Sequence, residues 1–189
     1  MYARGGRGGS GPLARYAMSV DLAVGDLVVY GNHGVGSVAA RKEQRVLGTT
    51  REVVVVVLED ELTVTLPLEL AQTQLRPLAS GADLRRVREA LRGDGELSVD
   101  PWLSRRRQTM EKLTGGNPVQ LAEIVSEGAQ RERLRQAKGS KPQLSSGERE
   151  IFSKARRLLS GEIALALDIQ PSAADGWIDK HLARPTEAV

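Results

Sequence analysis

The chain has 189 residues, 40% hydrophobic and 27% charged, with a net charge of +3 and a pI near 9.4. This is the composition of a folded globular chain of one large or two small domains, too mildly basic to coat phosphate backbones but compatible with a local basic patch. With no cysteine, two distant histidines and no apolar run near the ~20 residues of a membrane span, it offers no disulfide, thiolate metal site, His-based cluster or transmembrane helix.

The first residues, MYARGGRGGSGPLARYAMSV, lack the apolar core of a signal peptide. Their Gly, Ser and Arg content reads as a flexible tail over 1–19, an upstream mis-start with Met18 as the true start, or a cloning remnant. Residues 21–78 read as β. Val28–Tyr30 lead into a Gly31-Asn32-His33-Gly34 turn and Val35–Ala39 lead out of it. Leu47-Gly48-Thr49-Thr50 reads as a hairpin tip, with Glu52–Leu58 returning, a Glu59-Asp60-Glu61 turn and a strand over Leu62–Leu66 ended by Pro67. Several strands spaced by tight turns make a small curved sheet or SH3-like barrel.

From about residue 80 the period becomes helical. Ser80 and Asp83 form a capping box before Leu84, Val87, Ala90 and Leu91, and Gly93 ends that helix. Asp100 as N-cap with Pro101 at the first helical position opens a second helix, which Gly115-Gly116 stops near Leu113. Asn117-Pro118 repeats that start for a helix to about Ala137, and KGSKPQ (138–143) is a loop. Ser145 and Glu148 cap a helix ending near Leu167, and a short helix follows Pro171-Ser172. The fold class is therefore α+β: a small β domain, then a compact all-α domain of about five helices.

Aromatic residues are scarce (one Phe, three Tyr, two Trp), so each tryptophan asks for a reason. On a helical wheel starting at Trp102, Leu103, Met110 and Leu113 define the buried face, Trp102 and Arg106 lie at its margin, and Arg105 and Thr109 point to solvent. The residues alone leave two readings open. Trp102 packs under the preceding loop as a hydrophobic staple, or it is a nucleic-acid wedge whose neighbouring cations hold phosphates. The three consecutive arginines, Arg105–Arg107, span too much of the helix circumference to serve one ligand together.

The runs VGDLVVYGNHGVGSV, LTVTLP, WLSRRRQTMEKL, GNPVQLAEIV and LSSGEREIFSKARRLLSGEIALAL resemble, in order and spacing, the CarD/CdnL family of bacterial transcription regulators. The resemblance spans about residues 21–170. It implies a Tudor-like RNA polymerase-interacting domain over 20–78, of the kind also found in the transcription-repair coupling factor, and a helical DNA-binding domain over 79–189. It further implies a regulator with no catalytic residues, metal or cofactor, which docks on the polymerase β subunit through a strand edge and basic side chains. The residue matching Trp102 wedges into the minor groove of promoter DNA at the upstream edge of the transcription bubble and stabilises the open complex. Arg105 occupies a basic position of the family, with Arg106 and Arg107 as supporting charge, and Lys154 matches a basic position of the DNA-facing surface. The family pattern carries an arginine where this chain has Thr65, and another near Gln44, so polymerase contact is assigned to Arg41, Arg45, Thr65 and Pro67. The expected state is a monomer in the cytoplasm, held at the nucleoid through polymerase, with no membrane partner.

Two other classes remain at this stage: a polymerase-docking module that never touches promoter DNA, and a free-standing architectural DNA-binding protein. GNHGVG (31–36) follows no βαβ pattern and reads as a turn rather than a phosphate cradle, with His33 a structural turn residue. Trp177 reads as helix–helix packing, and Glu59-Asp60-Glu61 as a solvated turn. No set of residues supplies a nucleophile, a base and an oxyanion site.

Overall fold

The computed structural model describes residues 22–46, 48–59, 61–93, 97–137 and 144–182; the 1–19 segment and the 138–143 loop lie outside them. Five antiparallel strands, β1 (Leu27–Tyr30), β2 (Gly34–Val46), β3 (Thr49–Leu58), β4 (Thr63–Pro67) and β5 (Leu75–Pro77), form one sheet in the order β4-β3-β2-β1-β5. A bulge between Val38 and Ala40 bends β2 where it crosses β3. The expected Gly31–Gly34 turn is a short 3-10 turn over Gly31–His33, with the His33 ring stacked on Tyr30 at 5.0 Å. The β2–β3 hairpin is tighter than expected. Thr49 and Thr50 pair with Val46 and Arg45, so both belong to β3 rather than to the tip, and Gly48 takes a φ of +84° that suits a two-residue turn.

Five consecutive valines, Val53–Val57, form the middle of β3. Successive side chains point to opposite faces: Val54 and Val56 are buried on one, while on the other Val53 is buried, Val55 half-buried and Val57 exposed, so that second face is covered only at its Val53 end. Val54, Val56 and Leu58 join Val28, Val38, Leu66, Ala71 and Leu75 in the core of this domain. Two elements were not anticipated: α1 (Leu68–Gln74), which packs Ala71 under the sheet, and β5, which returns to pair with β1. Both are short and lack the long periodic pattern by which such elements are recognised.

Five helices follow: α2 (Gly81–Arg92), α3 (Trp102–Gly115), α4 (Pro118–Ala137), α5 (Ser146–Leu167) and α6 (Pro171–His181). The Ser80/Asp83 and Ser145/Glu148 capping boxes form as read, each with side chain and backbone bonded reciprocally. Asn117 caps α4 through its Oδ1, which accepts from the Val119 and Gln120 amides at 2.9 and 3.3 Å. Asp100 does not cap α3. Its carboxylate accepts instead from the Ser98 hydroxyl at 2.9 Å, and Pro101 is the N-cap residue, without a side-chain bond. Leu91, Leu113, Leu121, Val125, Leu159, Ile163 and Ile178 fill the core of the helical domain. Trp177 packs against it, with Arg88 over its ring and His181 beside it, as expected of a helix–helix contact.

The two domains meet closely where α3 ends. Gly116 stands at the C-cap with φ +61°, and a Cβ there would overlap the Gly31 carbonyl. Glycine is required on both counts.

Candidate functional site

The start of α3 brings together most of the residues singled out for nucleic-acid contact, though not in the expected orientation. The wheel centred on Leu103 and Met110 is corrected by roughly a quarter turn. Leu103 is 79% exposed and Met110 is exposed, while Trp102, Arg105, Thr109 and Leu113 form the stripe that faces the domain. The cause is electrostatic rather than apolar. Arg105, with only 11% of its side chain exposed, donates from Nη1 to Glu127 on α4 and from Nη2 to Glu148 on α5, both at 2.8 Å. Its Nε donates to the Asp100 carbonyl at 3.0 Å, which closes the chain leading into α3. Two carboxylates on different helices outweigh one leucine and one methionine in setting which side of α3 turns inward.

Trp102 is half-buried against the helical core and lines, with Ile124, Gly128, Leu144, Ile151 and Phe152, a small groove between α4 and α5. The Arg105 guanidinium lies over the indole at 5.5 Å, a cation–π contact. The helices can close on this groove because Gly128 has no side chain: a Cβ there would collide with the ring of Phe152, the only phenylalanine of the chain. So the indole is braced from below and one side, and it stands at the outer end of the helix. Val99 (99% exposed) and Leu103 flank it as an uncovered apolar pair.

The Arg105 brace is itself held. Glu127 Oε1 also accepts from Arg131, which reaches on to the Ser98 carbonyl at 2.9 Å. Glu148 Oε2 accepts from the Ser145 amide and hydroxyl at 3.0 and 2.8 Å. Burial alone would raise the Glu148 carboxyl, but the Ser145 bonds and the Arg105 charge together hold it below its ordinary value of 4.5. The folded state therefore binds this proton less readily than the unfolded chain. The contribution to stability is present above the unfolded value and is lost as pH falls through the lowered folded one. Unfolding free energy measured by urea titration is expected to decline as pH drops below 4.5, and Glu148→Gln is expected to flatten that decline. An unchanged slope in the variant would remove Glu148 from the acid transition.

The remaining basic residues divide clearly. Arg106 is exposed with no partner among the described residues. Arg107 is exposed and makes only a solvent-facing i,i+4 pair with Glu111 at 3.1 Å, which contributes little. Lys154, on α5 with Phe152 and Ser153, is half-buried and makes no ion pair among the described residues. In the sheet domain, β4 is an edge strand paired only with β3, and Thr65 is exposed on it. Pro67 closes the strand opposite Val53, so the hairpin arm of Thr49–Glu52 extends past it. Arg41 and Arg45 are exposed on the β2 side of that arm, Arg41 in an ion pair with Glu52 at 2.6 Å. Among the described residues, no cluster of three or more acidic or histidine side chains is placed to hold a metal, and no helix is long and apolar enough to cross a membrane.

Sequence reasoning missed Glu127, Arg131 and the second role of Glu148. The Ser145/Glu148 box was legible, but it uses Glu148 Oε2, and nothing local shows that Oε1 reaches Arg105, 43 positions away.

An open-edged β-sheet domain fixed to a helical domain that presents an indole among cations defines a two-domain binding protein. Residues 22–79 match the CarD-like/TRCF RID domain, and residues 86–179 match the C-terminal domain of CarD. The chain belongs to the CarD/CdnL family, a family of transcription regulators without enzymatic activity, and its RID domain is the Tudor-like module that interacts with RNA polymerase.

Proposed function

We propose that this regulator docks on the β subunit of RNA polymerase through the open β4 edge and the adjoining hairpin arm, and stabilises the open promoter complex by wedging Trp102 into the minor groove at the upstream edge of the bubble. The observation that carries this reading is the setting of Trp102: a half-buried indole braced by Arg105 at the projecting end of a helix, with Val99 and Leu103 uncovered beside it. A rigid apolar edge of this kind suits insertion at a base step, because little ordering remains to be done on binding. Arg106 and Arg107, both exposed to solvent, are the phosphate contacts in this reading, with Lys154 on the adjoining helix. Arg105 is reassigned from direct contact to bracing, since its donors are engaged inside the domain. Such a wedge and a few phosphate contacts bind weakly alone. Tethering to polymerase raises the local concentration, so a monomer acting in the cytoplasm at the nucleoid suffices.

The experiment is open-complex lifetime on one promoter, with and without the full-length protein, alongside retention on immobilised polymerase. Arg45→Glu combined with Thr65→Glu alters two exposed positions that support no core contact. It is expected to reduce polymerase retention by at least about fivefold with an unchanged melting temperature. Undiminished retention would move the docking surface away from β4 and the hairpin arm.

A further inference from the structure

The domain interface contains a buried carboxylate whose partners come from the other domain. Glu162, in the last third of α5, exposes 2% of its side chain. Its two oxygens accept from Arg76 on β5, from Nη1 at 2.5 Å and Nη2 at 2.7 Å, and Oε1 also accepts from the Ala79 amide at 2.9 Å. The same guanidinium donates to the Gly116 carbonyl at the end of α3, from Nε at 3.2 Å and also from Nη2. One side chain thus ties the edge strand of the sheet to α5 and to the base of α3. The link is short as well: three residues, 78–80, separate β5 from α2, and Ala79 among them is pinned.

We infer that Arg76 is a positioning residue: its fork on Glu162 and Gly116 fixes the orientation of α3 relative to the polymerase-docking sheet, and so sets where Trp102 meets the DNA. This rests on the function proposed above. The physical reason is the cost of letting go. If the domains rotate apart, the charge-assisted fork on Glu162 and the bonds to Gly116 are lost together, so the alternative orientations are disfavoured. The Gly31–Gly116 approach restrains the same point through backbone contact. Geometry then amplifies small errors. The 14 residues of α3 place Trp102 about 20 Å from Gly116, so a tilt of roughly 10° at the base moves the indole by about 3.5 Å, close to one base step. The docking edge is untouched by this, since β4 lies at the opposite edge of the sheet from β5.

The test uses the full-length protein. Because the chain has no cysteine, Val24→Cys, exposed ahead of β1 and away from the docking edge, and Arg92→Cys give one label in each domain without further changes. Arg76→Ala is expected to melt cooperatively, to be retained on polymerase like wild type, to broaden the label-to-label distance distribution, and to lose most of the lifetime extension, falling within about twofold of the protein-free promoter. Arg76→Lys, which keeps the charge but not the fork, is expected to fall between the two and carries the same comparison if the alanine variant melts below the assay temperature. Trp102→Ala runs in parallel. If Trp102→Ala shortens open complexes and the Arg76 variants do not, the wedge stands and the positioning role is overturned. A distance distribution as narrow as wild type overturns it too. If wild type itself leaves lifetimes unchanged, the proposed function fails and the positioning role falls with it.

Discussion

Trp102→Ala is expected to shorten the lifetime of open promoter complexes by about tenfold while leaving polymerase retention unchanged. Contact between an aromatic side chain and a base contributes roughly 1–3 kcal/mol, and each 1.4 kcal/mol is a factor of ten. The cost to folding is smaller. The indole is already half-exposed, so its removal is expected to lower stability by about 1–2 kcal/mol, with a cooperative transition retained. The two readings left open by the residues separate here. A staple would show its loss mainly in the melting temperature, with open-complex lifetime falling only as far as the folded fraction falls. A wedge would show it in lifetime at temperatures where the variant is fully folded. Leu103→Ser is a useful companion within the same experiment, because Leu103 touches little of the core and reports on the apolar edge alone.

Arg105→Ala is expected to produce the largest loss of stability among the basic residues of α3, about 3 kcal/mol, measured by chemical denaturation at neutral pH. Its removal takes the guanidinium away from Glu148, 6% exposed at the side chain, and leaves Glu127 to Arg131. The penalty comes from the carboxylate that loses this guanidinium, so adding Glu148→Gln is expected to recover part of it. Arg107→Ala, by contrast, removes a solvent-facing pair and is expected to leave stability unchanged within error. The same comparison tests the reassignment of Arg105. Were it a phosphate contact, its loss would shorten open complexes at full stability, and the salt dependence of binding would weaken.

The architecture was legible in the sequence because its signals are local. Capping boxes at Ser80 and Ser145, the Asn117-Pro118 start and the Gly116 stop each act within about one turn, and each formed where it was read. The α+β division likewise follows from a change of period that runs for tens of residues. The orientation of α3 was not legible for the opposite reason. Its apolar residues are few, and Arg105 is drawn inward by Glu127 and Glu148, which lie 22 and 43 positions downstream. An arginine reads as solvent-facing by type, and only its distant partners reverse that. The domain clamp is harder still, since Arg76 and Glu162 are 86 positions apart and neither stands in any recognisable pattern. Asp100 shows the converse failure: the local signal was present, but Ser98 claimed the carboxylate first.

The valine run of β3 has a consequence for how this protein is made. Five consecutive β-branched apolar residues without a charge are the kind of segment that stacks into cross-β assemblies when left uncovered. The strand leaves the ribosome before β4, which shields one of its edges, and long before the helical domain is complete. Safety depends on the hairpin with β2, which is already synthesised and pairs with β3 along its whole length. The finished sheet keeps an open edge at β4 for a partner, and that edge is only five residues long and ends in a proline, too short and too interrupted to template a second copy. In the docking mode proposed above, sociability toward polymerase and reserve toward its own kind are thus balanced in one strand.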